Sequence, residues 1–287
     1  MKAIEAIKLN TWKDFAGAIE SVRQRHGCHK LGPGVRENRI LYRGQADAGW
    51  PLETTLERFS KNRWNLASYM SVACACAPEL ESYTDRSWGI GNWDEVEQSL
   101  PRGPRSELQN IPHYEYLVHL RHHGFPSPLL DWSESPYIAA FFAFEEQGKA
   151  GEVGVFAYVE TPKGYKGGPV GIPEISVQGP HIHTHKRHFL QQAWYTVACE
   201  FREGKHYFVP HETVFDQCYD QDYLLKITIP MSERANALRS LYEYNITRFS
   251  LFQTEEALVR TLAFKELEEE YEFPGTAVDI GTVEKQV

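Results

Sequence analysis

Apolar residues at Trp12, Phe15, Ile19 and Val22 recur at helical spacing. Thr11 and Asp14 stand as in a capping box and Gly27 supplies a stop, so 11–26 is predicted as an amphipathic helix. After the Gly32-Pro33-Gly34 turn the pattern changes. Arg39-Ile40-Leu41-Tyr42-Arg43 is short, apolar and cut off at Gly44, as in a buried strand that delivers Arg43 to its end. Residues 61–103 scatter Trp64, Trp88 and Trp93 among Gly and Ser and read as a helix followed by an irregular insertion. Helical spacing returns over 106–123 at Leu108, Ile111, Glu115 and Val118, with Gly124 as stop and Pro126 and Pro128 beyond. Leu129-Leu130 reads as a short strand, and Ser133 followed by Pro136 opens a helix with Ile138, Ala139, Phe142 and Ala143 on its apolar face. β-Branched and aromatic residues mark strands at 153–159, 194–199 and 223–229, with a Gly/Pro-rich loop at 161–180. Helices at 231–243 and 254–270 precede a polar tail from Pro274.

Helix and strand signals alternate with no polar linker between them, which predicts one α+β domain with an insertion. A 42% hydrophobic fraction is enough for a large core and excludes disorder for most of the chain. Residues 1–30 hold no apolar stretch behind basic residues, and the longest apolar runs, such as 138–144, are too short for a bilayer. The expectation is a cytoplasmic protein, neither exported nor membrane-embedded. Cys28, Cys74, Cys76, Cys199 and Cys218 are odd in number and lack C-x-x-C pairs, so they read as reduced, mostly buried thiols. A net charge of −9 argues against a duplex nucleic-acid partner, leaving local basic stretches at 119–123 and 181–188. His181, His183 and His185 would share one face of a strand, a metal-binding arrangement without a nearby cysteine or carboxylate; no structural metal is expected there. The glycine fingerprints of Rossmann and P-loop sites and the G-x-S-x-G elbow are missing.

Two blocks stand out. The first is Tyr42-Arg43-Gly44-Gln45 with Trp50-Pro51-Leu52 and Leu56-Glu57-Arg58; the second runs His122-His123-Gly124-Phe125-Pro126-Ser127-Pro128-Leu129-Leu130-Asp131-Trp132-Ser133-Glu134-Ser135-Pro136 into Ala139-Ala140-Phe141-Phe142-Ala143. The first resembles the opening signature of the FRG domain family, an aromatic-Arg-Gly triplet, and the second its His-x-Gly-x-Pro-Thr-x-Leu-Leu-Asp-Trp core. Gln191-Gln192 and 246–258 fit more loosely, and the resemblance spans about residues 10–265. It implies an FRG domain over 1–273, including the insertion at 61–103, and a tail at 274–287. Ser127-Pro128 replaces the family's Thr-Arg, and Ala193-Trp194 replaces its Gly-Phe.

The order of these motifs resembles, more distantly, the Arg-Ser-Glu class of ADP-ribosyltransferases. That likeness implies a mixed sheet flanked by helices, NAD as cofactor, and transfer of ADP-ribose to a macromolecular acceptor or hydrolysis of NAD, in a bacterial toxin or phage-defence role. The cleft it implies is made by Arg43, His123, Asp131, Ser133 and Gln192, with Tyr42, Gly44, Gln45 and Trp132 beside the cofactor. A guanidinium fork suits phosphate oxygens, Gly44 would admit a ligand to the backbone, and the helix start after Ser133 would favour an anion. The segment 191–194 contains no carboxylate, leaving Glu200 or Asp131 for the third role.

Plainer readings stand beside these. Arg43 would pair structurally with Asp131, Ser133 would be a helix cap, the histidines at 122 and 123 would sit at a helix end favoured by its dipole, and Gln191 and Gln192 would satisfy backbone groups. Two rival functions follow: a non-catalytic nucleotide- or protein-binding module, and a nuclease using His123 and Asp131.

Overall fold

The computed structural model describes residues 5–26, 39–103, 111–146, 148–162, 171–179, 186–217 and 222–268. Its strands are β1 (Glu5–Lys8), β2 (Ile40–Gln45), β3 (Leu130–Ser133), β4 (Glu152–Glu160), β5 (Glu174–Gln178), β6 (Ala193–Arg202), β7 (Lys205–Phe208) and β8 (Asp222–Pro230). They form one open mixed sheet in the order β1-β8-β4-β2-β3-β6-β5, with β7 on β6. Only the β1–β8 pair is parallel among the pairings described. The helices are α1 (Phe15–His26), α2 (Thr55–Phe59), α3 (Leu66–Ala75), α4 (Ala77–Thr84), α5 (Trp93–Ser99), α6 (Tyr114–His122), α7 (Pro136–Phe144), α8 (Lys186–Leu190), α9 (His211–Gln217), α10 (Arg234–Glu243), α11 (Arg248–Phe252) and α12 (Glu255–Ala263). Among the described residues no helix is long and apolar enough to cross a membrane.

Strand alternation sorts the core into two faces. Leu41, Leu130, Trp132, Phe156, Tyr158 and Trp194 point to one face and pack with Val214 and Phe215 of α9. On the other face there are two groups. Tyr42, Val155 and Ala157 meet Phe15 and Ile19 of α1, Ala139 and Phe144 of α7 and Leu241 of α10, while Tyr195, Val197 and Cys199 meet Met70 of α3 and Leu117 of α6. The seam between these two helical groups runs over β3.

Most predicted elements form, with instructive exceptions. The 61–103 insertion is helical. Its helices have 7 to 10 residues, too short for a clear periodicity, but Asn65 and Asn92 each cap one by accepting from the N–H three residues on, and Trp64, Trp88 and Trp93 pack on the core beside α6. The loop predicted at 161–180 contains β5, which pairs with β6 at the sheet edge. Thr11 makes no backbone cap; its hydroxyl donates to the Asp14 carboxylate at 2.9 Å. Ser133 is not the cap of α7 either: that is Ser135, which accepts from the Ile138 N–H, with Pro136 opening the helix. Cys199 is buried, but Cys74 and Cys76 are half-exposed, correcting the expectation of mostly buried thiols, and Cys28 and Cys218 lie outside the described residues. So do the histidines at 181, 183 and 185, residues 106–110 of the predicted helix and the tail from Pro274.

Under the sheet a buried polar chain braces β3. The Trp132 indole N–H donates to Thr196 Oγ1 at 2.8 Å, and Thr196 Oγ1 lies 2.8 Å from His211 Nε2. Burial and the positive charge of Arg43 push His211 down to about 3, against a hydrogen bond to the Thr196 backbone that favours the charged form. Its unfolded value is about 6.5, so between those values the unfolded chain binds the extra proton and stability falls as pH falls. Melting temperature is therefore expected to drop steadily from about pH 6.5 toward pH 4, where carboxylates begin to contribute. His211→Gln should flatten that slope, and an unchanged slope would contradict a buried neutral imidazole.

Candidate ligand-binding cleft

The seam over β3 opens into a cleft of about 270 Å³. β2 and β3 pair at one position, Tyr42 opposite Ser133, whereas β2 and β4 pair along six. Arg43 extends toward β3 beside that single pairing. Its Nη1 donates to the backbone oxygen of Asp131 at 2.9 Å and to its carboxylate at 2.6 Å. Arg121, from the last turn of α6, pairs with the same carboxylate oxygen and donates from Nη1 to Thr55 Oγ1 at 3.2 Å. Thr55 Oγ1 also accepts from the Ser127 N–H at 2.9 Å, tying the start of α2 to the second sequence block.

Two guanidiniums therefore share one carboxylate. Their side chains are 13% and 12% exposed, whereas that of Asp131 remains 48% exposed, so the acid faces the cleft and the bases are recessed behind it. Burial works against ionisation of Asp131, but Arg121 and Arg43 outweigh it and hold the carboxyl far below the usual carboxylate range. Such a group is a fixed anion and a poor proton acceptor.

Opposite Asp131 on β6 is Tyr195, whose hydroxyl lies 3.0 Å from His122 Nε2. Burial, reinforced by the Asp131 charge and opposed by Arg121, raises the Tyr195 pKa, so it remains a phenol and donates when that nitrogen is unprotonated. Phe142 of α7 and Phe252 of α11 supply apolar walls with ring centroids 6.1 Å apart, and Arg187 of α8 also lines the cleft.

Arg43, Asp131 and Ser133 thus meet in one cleft, beside Tyr42, Gly44 and Trp132. The Ser133 hydroxyl is occupied: it donates to the Gln191 carbonyl at 2.8 Å and accepts from the Ser135 N–H at 3.0 Å, fixing the cleft floor. The Tyr42 side chain is in the core, and Trp132 packs its indole on the opposite face of the sheet. Gln45 is buried away from the cleft lining, its amide donating to the Pro51 carbonyl at 3.1 Å. His123 is exposed at the end of α6 against His119, and His122 takes the cleft position. Gln192 is exposed with φ 48°, and Gln191 lines the cleft instead. Glu200 lies toward the far end of β6, paired with Arg63 at 3.7 Å. Gly44 serves the fold, since a Cβ there would come within 1.8 Å of the Ala139 carbonyl oxygen of α7.

Arg121, His122, Tyr195, Gln191, Arg187 and the two phenylalanines complete the cleft without having been singled out as its residues. For His122 a signal existed: the motif reads His-x-Gly, and before Gly124 that spacing marks His122. Among the described residues no three His, Cys, Asp or Glu are grouped so as to hold a metal.

An α+β scaffold with a guanidinium-lined cleft at a helix seam is the class these features define. Residues 38–152 match the model of the FRG domain. The matched stretch supplies Arg43, Arg121, His122 and Asp131, while Arg187, Gln191, Tyr195 and Phe252 come from beyond it. No match was found among curated proteins or among solved structures.

Proposed function

We propose that the cleft binds NAD or a related nucleotide, with Arg43 and Arg121 at the phosphates. The observation that carries this reading is the pair of recessed guanidiniums sharing a single carboxylate at the floor of a cleft with aromatic walls. Arginine forks suit phosphate oxygens, and Phe142 and Phe252 offer apolar surface to a base or nicotinamide ring. The geometry favours recognition over turnover. Among the described residues Asp131 is the one carboxylate in the cleft lining, and two arginines hold it ionised and hydrogen-bonded, which makes it a poor proton acceptor for hydrolysis.

A second reading, ADP-ribosyl transfer or NAD hydrolysis, draws on the His122–Tyr195 contact at the cleft wall, an arrangement able to move a proton. Incubating the pure protein with NAD and following nicotinamide release by mass spectrometry separates the two. The binding reading expects NAD recovered intact beside a saturable titration; nicotinamide release lost in His122→Ala would replace it with the enzymatic reading.

A further inference from the structure

A second cavity, of about 320 Å³, lies between α7, α10, α11 and α12. Phe252 separates it from the cleft: Arg187, which lines the cleft, stands 5.3 Å from that ring, and Arg248, which lines the second cavity, stands 4.9 Å from it. The floor is apolar, from Phe141, Leu238 and Phe264, and at the rim Leu267 and Tyr242 remain 57% and 37% exposed. One side carries Arg248 and Arg260.

Arg248 already holds a carboxylate, that of Glu145, in a pair with side chains 21% and 16% exposed. The cavity therefore contains a guanidinium positioned for a carboxylate in a largely dry setting. Burial raises the Glu145 pKa despite Arg248, which marks surroundings where charges are weakly screened. Arg260 makes an exposed pair with Glu256 one turn away, at 3.3 Å, and its charge also acts on Glu145, so it can turn to a ligand at little cost. The volume falls in the range of small-molecule sites.

We propose that this cavity is a binding site for an amphipathic carboxylate, with the tail on Phe141, Leu238 and Phe264 and the head group at Arg260 and Arg248. It stands independently of the nucleotide reading.

Calorimetric titration with dodecanoate below its micellar concentration provides the test. Saturable binding at one per chain is expected, with dodecanol, the uncharged analogue, at least about tenfold weaker. Arg260→Gln, a surface change, should weaken dodecanoate about tenfold, in the range of a lost charge-assisted contact. Glu145→Gln, which removes the competing carboxylate, should strengthen it, and Arg43→Ala should leave it unchanged. Absence of saturable binding, equal affinity for dodecanol, or affinity indifferent to both the Arg260 and Glu145 substitutions would overturn the proposal. So would loss of dodecanoate binding in folded Arg43→Ala, since the ligand would then occupy the cleft.

Discussion

Gly44→Ala is expected to lower stability by more than about 4 kcal/mol, one of the largest losses a single methyl group can cause. The added Cβ would lie 1.8 Å from the Ala139 carbonyl oxygen and 2.7 Å from the Ala143 nitrogen. Both are backbone atoms of α7, so no side chain can swing aside; the whole helix must retreat from β2. In a chain of 287 residues that corresponds to a melting temperature lower by roughly 7 °C or more, or to failure to fold. Moving α7 also withdraws Ala139 and Phe142 from the cleft. Gly17 in α1 is the matched control. A Cβ there meets nothing within 4 Å, and Gly17→Ala should stabilise by about 0.5–1 kcal/mol through helix propensity. A Gly44→Ala protein melting within a degree or two of wild type would show that α7 does not lie on β2 as described.

Arg43→Ala is expected to weaken nucleotide binding roughly 10- to 150-fold, the equivalent of about 1.5–3 kcal/mol in lost charge-assisted bonds. Arg43→Lys should restore only part, because an ammonium keeps the charge and loses the fork. The stability cost should be modest. Removing one partner of an isolated buried pair costs about 3–5 kcal/mol, but Asp131 keeps Arg121 and is itself 48% exposed, so about 1–2 kcal/mol is expected after solvent screening. Asp131→Asn should act in the opposite direction on binding, since it removes the anion that competes with a phosphate for both guanidiniums. A purely structural ion pair predicts lower stability in both variants and no change in any ligand's affinity. Thermal melts and titrations on the same proteins distinguish these outcomes.

Arg43, Asp131 and Ser133 were legible in the sequence because each lies in a dense motif beside a short apolar run, and β2 and β3 bring the two motifs together. The sheet was less so: β1 and β7 have 4 residues each, too short for alternation to declare itself. Around 119–123 the difficulty was helical phase. Tyr116, Leu117, Val118 and Leu120 are all buried, a cluster too continuous to tell which side of α6 faces the sheet, so the phase that puts Arg121 and His122 in the cleft in place of the expected His123 is hidden. Tyr195, Arg187 and Phe252 come from separate elements far along the chain, and only the assembled sheet places them beside Asp131. Pro128 stands where the resemblance to the FRG domain implies an arginine; α6 brings a second guanidinium to the cleft in Arg121.

The most direct measurement is a calorimetric titration of NAD into wild-type protein and into an Arg43→Ala/Arg121→Gln variant confirmed to be folded. One saturable site in the wild type, weakened by rising salt as expected for phosphate contacts and undetectable in the variant, is the predicted result. No binding by the wild type, or equal affinity in the two proteins, would contradict a phosphate site at Arg43 and Arg121.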